Sequence, residues 1–144
     1  MTEIAFHFNA SDTMAYACRL LRKAVGSGAR LVVTAPPDTL RHLDLALWSF
    51  SATDFVAHCH DSSDAAVRSR SPVVLAENPM QAPHQQVLVN LGGAVPQGFE
   101  RFERLIEVVG LDEQERLLAR QRWKQYVDRG YALQRHDLAA KEQA

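Results

Sequence analysis

Apolar residues along this chain follow two rhythms, short unbroken runs and longer stretches with helical spacing. Residues 4–8 form a short β-type run, and Asn9, Ala10, Ser11 and Asp12 after it supply helix-capping chemistry. From Thr13 onward Met14, Ala17, Cys18, Leu21 and Val25 recur at helical intervals, and Gly26-Ser27-Gly28 stops that helix. Residues 30–34 predict the next strand. Pro36-Pro37-Asp38-Thr39 breaks it and opens a second helix, through about Trp48, with Leu40, Leu43 and Leu47 on one side. This β-α-β-α order, with strands apolar throughout, suits a sheet covered on both faces.

Residues 55–57 predict a third short strand, and the polar stretch 60–71 reads as a loop. Two further strands follow at 72–76 and 86–91, separated by Asn78-Pro79 and Ala82-Pro83, and Gly92-Gly93 ends the second. A helix from about 98 to 109 and another from 112 to 129 complete the pattern, and the segment after Tyr131 is polar and expected to fray. No repeat or linker interrupts the chain. One α/β domain over 1–133, with a polar C-terminal tail over 134–144, is the expected organisation.

Composition narrows the functional classes. The chain has 144 residues, 47% apolar and 23% charged, with a net charge of −1. That balance argues against a dedicated nucleic-acid binder, whose phosphate contacts demand excess Lys and Arg. Cys18 and Cys59 are too few for a disulfide framework. The N-terminus lacks the basic start and long apolar core of a signal peptide, and no segment approaches membrane-spanning length. The expectation is a cytoplasmic protein with reduced thiols.

An α/β chain invites a nucleotide hypothesis, because free N–H groups where a strand meets a helix face an anion. Here the first such turn, 9–12, contains no glycine, and the second contains Pro36 and Pro37. Gly26-Ser27-Gly28 lies at a helix-to-strand turn instead, where glycine is a cap. No Gly-rich phosphate loop is present and no cofactor is expected. His58-Cys59-His60-Asp61 is the one metal-like cluster. In extended backbone His58 and His60 share a face while Cys59 points away, so a polar loop after a strand is the preferred reading, although His84 and His136 could join from afar. No catalytic constellation emerges, and no catalytic residue is assigned.

The last helix is more informative. Acids occupy its first turn and bases the rest, as the macrodipole favours. Leu117, Leu118 and Tyr126 can face the core. Arg116, Arg120 and Lys124 form a stripe at i, i+4, i+8, with Trp123 beside it. Arg116 can pair with Asp112 and Lys124 with Asp128, but Arg120 has no acid three or four residues away. A solvated face is the bland alternative. A like-charged row beside an aromatic is a natural receptor for an acidic, apolar-tipped peptide.

Ala119-Arg-Gln-Arg-Trp-Lys-Gln-Tyr126 with Arg129-Gly130-Tyr131 resembles the C-terminal helix of the chi subunit of bacterial DNA polymerase III. Leu43-Asp-Leu-Ala-Leu-Trp48 with Asp54-Phe-Val-Ala-His58, Gln86-Val-Leu-Val-Asn-Leu91, and Phe99-Glu-Arg-Phe-Glu-Arg-Leu-Ile-Glu-Val-Val109 resemble the same family, in the family's order. The resemblance implies a Rossmann-like three-layer α/β/α sandwich with a mainly parallel sheet. It also implies a clamp-loader accessory protein, not an enzyme, that pairs with a psi subunit and binds the acidic C-terminal tail of single-stranded-DNA-binding protein. Carried over by position, Arg120 pairs with the tail's terminal carboxylate or an acidic side chain. Trp123 walls a pocket for the last apolar residue, and Arg116 and Lys124 attract the acids. Trp48, Phe55 and Val56 fall on the psi-facing surface. The expected function is a scaffold at the replisome, bridging clamp loader and protein-coated single-stranded DNA without strong direct nucleic-acid binding. A ligand-binding Rossmann-like module or degenerate enzyme is the alternative.

Overall fold

The computed structural model describes residues 1–49, 57–60 and 63–139. The chain runs β1 (Glu3–Ala10), α1 (Thr13–Gly26), β2 (Leu31–Thr34), α2 (Pro37–Ser49), β3 (His58–His60), α3 (Ala65–Arg70), β4 (Val73–Leu75), β5 (Val87–Asn90), β6 (Arg104–Gly110), α4 (Glu113–Asp128) and β7 (Leu133–Asp137). The strands form one sheet in the order β3-β4-β2-β5-β6-β1-β7. Every pairing in it is parallel. Asp12 caps α1 by accepting the Ala15 N–H at 3.0 Å. Gly28, just past the end of α1, holds φ +89°, a conformation that side chains with a Cβ rarely adopt.

Alternation along the strands divides the core into two layers. Leu31, Val33, Val73, Leu75, Val87 and Val89 turn to one face, where Leu21 of α1 and Leu40, Leu43 and Leu47 of α2 cover them. Ile4, Phe6, Val32, Val74, Leu88 and Leu105 turn to the other face, against Ala119 and Tyr126 of α4 and against Phe99 and Phe102. Each fully buried aliphatic or aromatic side chain of this kind contributes about 1.5–3 kcal/mol. The result is a Rossmann-like α/β sandwich with an all-parallel sheet. Among the described residues, no helix is long and apolar enough to cross a membrane.

Three sequence expectations are corrected here. Residues 98–109 are not a helix: a 3₁₀ turn at Phe99–Arg101 leads into β6. Phe102, Leu105, Ile106 and Val109 have helical spacing, but β6 lies between β5 and β1 with both faces covered. Apolar residues therefore occupy consecutive positions, and the strand rhythm of two is lost. The polar stretch 60–71 contains α3, capped by Asp64, which accepts the Ala66 N–H at 3.0 Å. The third strand is β3, so His58-Cys59-His60 is strand rather than loop and Ala57 precedes it. Phe55 and Val56 lie outside the described residues.

The segment after Tyr131, as far as residue 139, is not a fraying tail either. It forms β7, which pairs with β1 in a register that sets Phe6 beside Arg135 and His7 beside His136. β7 is an edge strand with one hydrogen-bonding side open to water, so polar residues suit it. The ordered domain extends past residue 133 to include buried Leu138.

Candidate functional site

Helix α4 starts from reciprocal caps. Asp112 accepts the Glu115 N–H at 3.1 Å, and the Glu115 carboxylate reaches back to the Gly110 N–H at 3.1 Å. The first bond satisfies a donor that the opening helical turn leaves free, the second ties that turn to the end of β6, and both acids complement the positive end of the helix. The inner face is Ala119, Arg122 and Tyr126, spaced i, i+3, i+7. Tyr126 faces the core as expected and Leu118 is half-buried, but Leu117 is 47% exposed. An arginine takes the inward position instead.

Arg122 enters the core because β6 supplies a buried acid. Its Nε–H donates to Glu107 Oε1 at 3.1 Å and its NH1 group donates to the Gly93 carbonyl at 3.0 Å. The Tyr126 hydroxyl donates to Glu107 Oε2 at 2.5 Å, and the Asn90 amide donates to Oε1 at 2.9 Å. Burial pushes the Glu107 carboxyl up from the usual carboxylate range, against the lowering effect of the Arg122 guanidinium and the three sets of hydrogen bonds. Burial and the adjacent Glu107 push the Tyr126 phenol up as well, so it stays protonated and keeps donating. This network pins the inner face of α4 to the sheet and fixes what its outer edge presents.

At that edge α4, β1, β6 and β7 enclose a cleft of about 340 Å³. Phe6, Phe8, Val109 and Ala119 give it apolar walls, and Trp123 stands over Phe6 edge-to-face at 5.1 Å. Arg116, Arg120 and Arg135 supply its charge, and among the described residues no carboxylate lines it. Among the described residues, none of these three arginines forms an ion pair, so the pairing of Arg116 with Asp112 expected from spacing is not made. The Arg135 guanidinium lies 5.0 Å from the Phe8 ring centroid and 6.0 Å from that of Trp123.

The structure thus brings together Arg116, Arg120 and Trp123, which were picked from the sequence. Trp123 is half-buried rather than freely exposed. Lys124 is exposed on α4 but does not line the cleft. Phe6, Phe8 and Arg135 were missed as site residues, because β1 reads as core and β7 as a fraying tail.

Trp48 lies apart, at the end of α2, 62% exposed with its ring 5.5 Å from that of His58. Leu45, one turn earlier, is 65% exposed. His58 Nε2 is 2.8 Å from Asp44 Oδ1, which ties the edge strand β3 to α2. His84 is buried near Arg30, and burial first, then that cation, lowers its pKa. The His136 ring lies tilted against that of His7, with centroids 4.6 Å apart. Among the described residues no three His, Cys, Asp or Glu side chains converge to hold a metal ion.

Fold and site together define a parallel, doubly covered α/β domain with a cationic, aromatic-walled cleft at one sheet edge. The chain belongs to the DNA polymerase III chi subunit family, since the profile of "DNA polymerase III chi subunit, HolC" matches residues 1–134. It is 31% identical to the DNA polymerase III subunit chi of Pseudomonas aeruginosa strain PAO1, over 96% of this chain and 98% of that one. Membership places it in DNA replication, as a subunit of polymerase III. Among solved structures, the C-terminal domain of the DEAD-box protein Dbp5 matches with a TM-score of 0.57 and 15% identity. That match covers 96% of this chain and 91% of the other, and the likeness is one of fold.

Proposed function

We propose that this subunit is a non-catalytic tether in the cytoplasm, at the replisome, with two separate binding surfaces. The cleft beside α4 takes the acidic C-terminal tail of single-stranded-DNA-binding protein. The exposed end of α2, carrying Trp48, takes a psi subunit and through it the clamp loader, and Phe55 and Val56 are assigned to the same interface from the sequence. The observation that carries the first assignment is the convergence of Arg116, Arg120, Arg135 and Trp123 around an apolar cleft that, among the described residues, no carboxylate lines. Cations attract an acidic segment, while an aromatic-walled hollow takes one apolar side chain and excludes water around it. Lys124, outside the cleft, attracts acids farther along the tail. The second assignment is supported by a large aromatic left in water on a helix whose other face is core.

Calorimetry with a tail peptide and with the same peptide lacking its last apolar residue tests the first assignment. Burying one aromatic side chain contributes about 1.5–3 kcal/mol, so the trimmed peptide should bind weaker by roughly that amount. Equal binding of the two peptides, with steep loss in salt, would mean a diffuse basic patch rather than a cleft. Tight, salt-sensitive binding of bare oligonucleotides would overturn the tether in favour of direct single-strand binding.

A further inference from the structure

Charge is spread unevenly along this chain. Between Thr13 and Pro37 stand Arg19, Arg22, Lys23 and Arg30 and not one Asp or Glu, although the whole chain carries a net charge of −1. The first three of these cations belong to α1, where their spacing of i, i+3 and i+4 sets them on one side, and all three are exposed. The other side of α1, with Ala17, Cys18 and Leu21, is buried against the sheet. Among the described residues neither Arg19 nor Lys23 forms an ion pair. The helix packed beside α1 is α2, which brings Asp38 and Asp44. Asp38 is paired with Arg41, however, and Asp44 with His58. The helix dipole accounts for Lys23 in the last turn, but its influence fades beyond that turn and does not explain Arg19.

The chemistry of this face separates nucleic acid from protein as its occupant. Protein partners are held through a few apolar or aromatic anchors. On α1 such side chains, Met14, Tyr16, Leu20 and Val25, pack against the core. Among the described residues, the large apolar side chains left exposed all lie elsewhere. A row of cations without an anchor offers charge alone, which is what a phosphodiester backbone takes. Because α1 covers one face of the sheet and α4 the other, this surface is separate from the cleft.

We infer that the outer face of α1 is a contact for the phosphate backbone of DNA, made by Arg19, Arg22 and Lys23 and blind to base sequence. By itself the contact is weak, with a Kd on the order of 10⁻⁴ M near physiological salt, the weak end of non-specific binding. Attachment makes it count. Where the cleft holds the tail of a protein that coats single-stranded DNA, the strand is presented at a local concentration on the order of 10⁻³ M, and such a contact is then mostly occupied. That gain rests on the tail-binding reading; the contact itself does not.

The test is amide-shift mapping of the isotopically labelled full chain during titration with oligothymidylate at low salt, with a duplex of equal length in parallel. Shifts should concentrate on α1 and the turn after it. Binding of either form there supports the contact, and the tighter one names the form of DNA. With three phosphates neutralised, a fourfold rise in salt should weaken single-strand binding by about twentyfold. Combining Arg19→Gln, Arg22→Gln and Lys23→Gln should weaken binding by about tenfold or more, because the counterion release is lost. The melting curve and the affinity for the tail peptide should not change in that triple variant. Arg116→Gln with Arg120→Gln should lose the tail peptide and keep the oligonucleotide, so failure of this proposal is distinguishable from failure of the tail-binding reading. Shifts confined to the cleft, undiminished binding by the triple variant, or no binding at low salt overturns the proposal. Shifts at α1 with an aspartate-rich peptide but none with DNA would also overturn it, by assigning the face to an acidic protein.

Discussion

Replacing Arg122 with methionine exposes what the buried network under α4 contributes. The change removes the 3.1 Å bond to Glu107 and the 3.0 Å bond to the Gly93 carbonyl, while methionine fills much of the space left by the arginine stem. Glu107, fully buried, then retains Tyr126 and Asn90 as donors. Removing one partner of a buried ion pair costs about 3–5 kcal/mol, in line with two charge-assisted bonds at roughly 1.5–3 kcal/mol each. At roughly 3 °C per kcal/mol for a chain of this length, melting should fall by about 9–15 °C near neutral pH. The loss should also depend on pH. Burial already raises the Glu107 carboxyl, and Arg122 is the largest influence opposing that rise, so without the guanidinium it climbs further. With a raised folded-state pKa the native protein keeps a proton that the unfolded chain releases. Stability then falls as pH rises from the unfolded carboxyl value toward the folded one. The deficit of Arg122→Met should therefore be smallest near the unfolded carboxyl value and grow as pH rises above it. Adding Glu107→Gln to Arg122→Met should abolish that slope and recover part of the stability at the upper end. Thermal melts across this range provide the check. A deficit under about 1 kcal/mol at the upper end, or one independent of pH, would refute the picture of a desolvated acid held in balance by Arg122.

Two further outcomes separate the proposed surfaces. Arg120→Ala should weaken tail-peptide binding by about 1.5–3 kcal/mol in calorimetry while leaving the melting temperature unchanged, because the side chain is exposed. Trp48→Ala should also melt normally, since the ring is largely in water, but co-purification with a psi subunit should be lost while tail affinity stays intact. An early-melting Trp48→Ala that loses both partners would return this residue to a structural role.

Much of the fold was legible because α1, α2 and β2 obey one rhythm each. Leu40, Leu43 and Leu47 recur on the side that is buried, and the prolines and glycines between elements mark their ends. Legibility failed where burial on both sides erased the rhythm. In β6 the run Leu105, Ile106, Val108 and Val109 is apolar at nearly every step because α1 and α2 cover one face and α4 the other. It failed in the opposite sense in β7, where exposure let Gln134, Arg135 and Asp137 occupy a genuine strand. The site followed the same division. Arg116, Arg120 and Trp123 share a helix, so spacing alone places them together. Arg135 joins them through a parallel pairing with β1, across more than a hundred residues of sequence. Arg122 was overlooked because an inward arginine makes sense only with its acid, and Glu107 sat in what read as another helix.

The position of β1 has a consequence for how the molecule is made. Ile4 pairs with Leu105 on one side and with Leu133 on the other. β1, made before both of its neighbours, thus waits for β6 and then for β7 before its two edges are closed. During that interval an apolar segment with two open edges is a template for pairing with other nascent chains. Closure of such distant pairs is also slow, because the entropy of a long loop is lost before contacts compensate it. The cleft inherits this order of events. Phe6 and Phe8 are synthesised early, Arg135 late, and they meet at the final docking of β7 onto β1. The complete cleft therefore forms only once β7 has paired with β1, and a chain clipped before β7 would lack Arg135 at its rim.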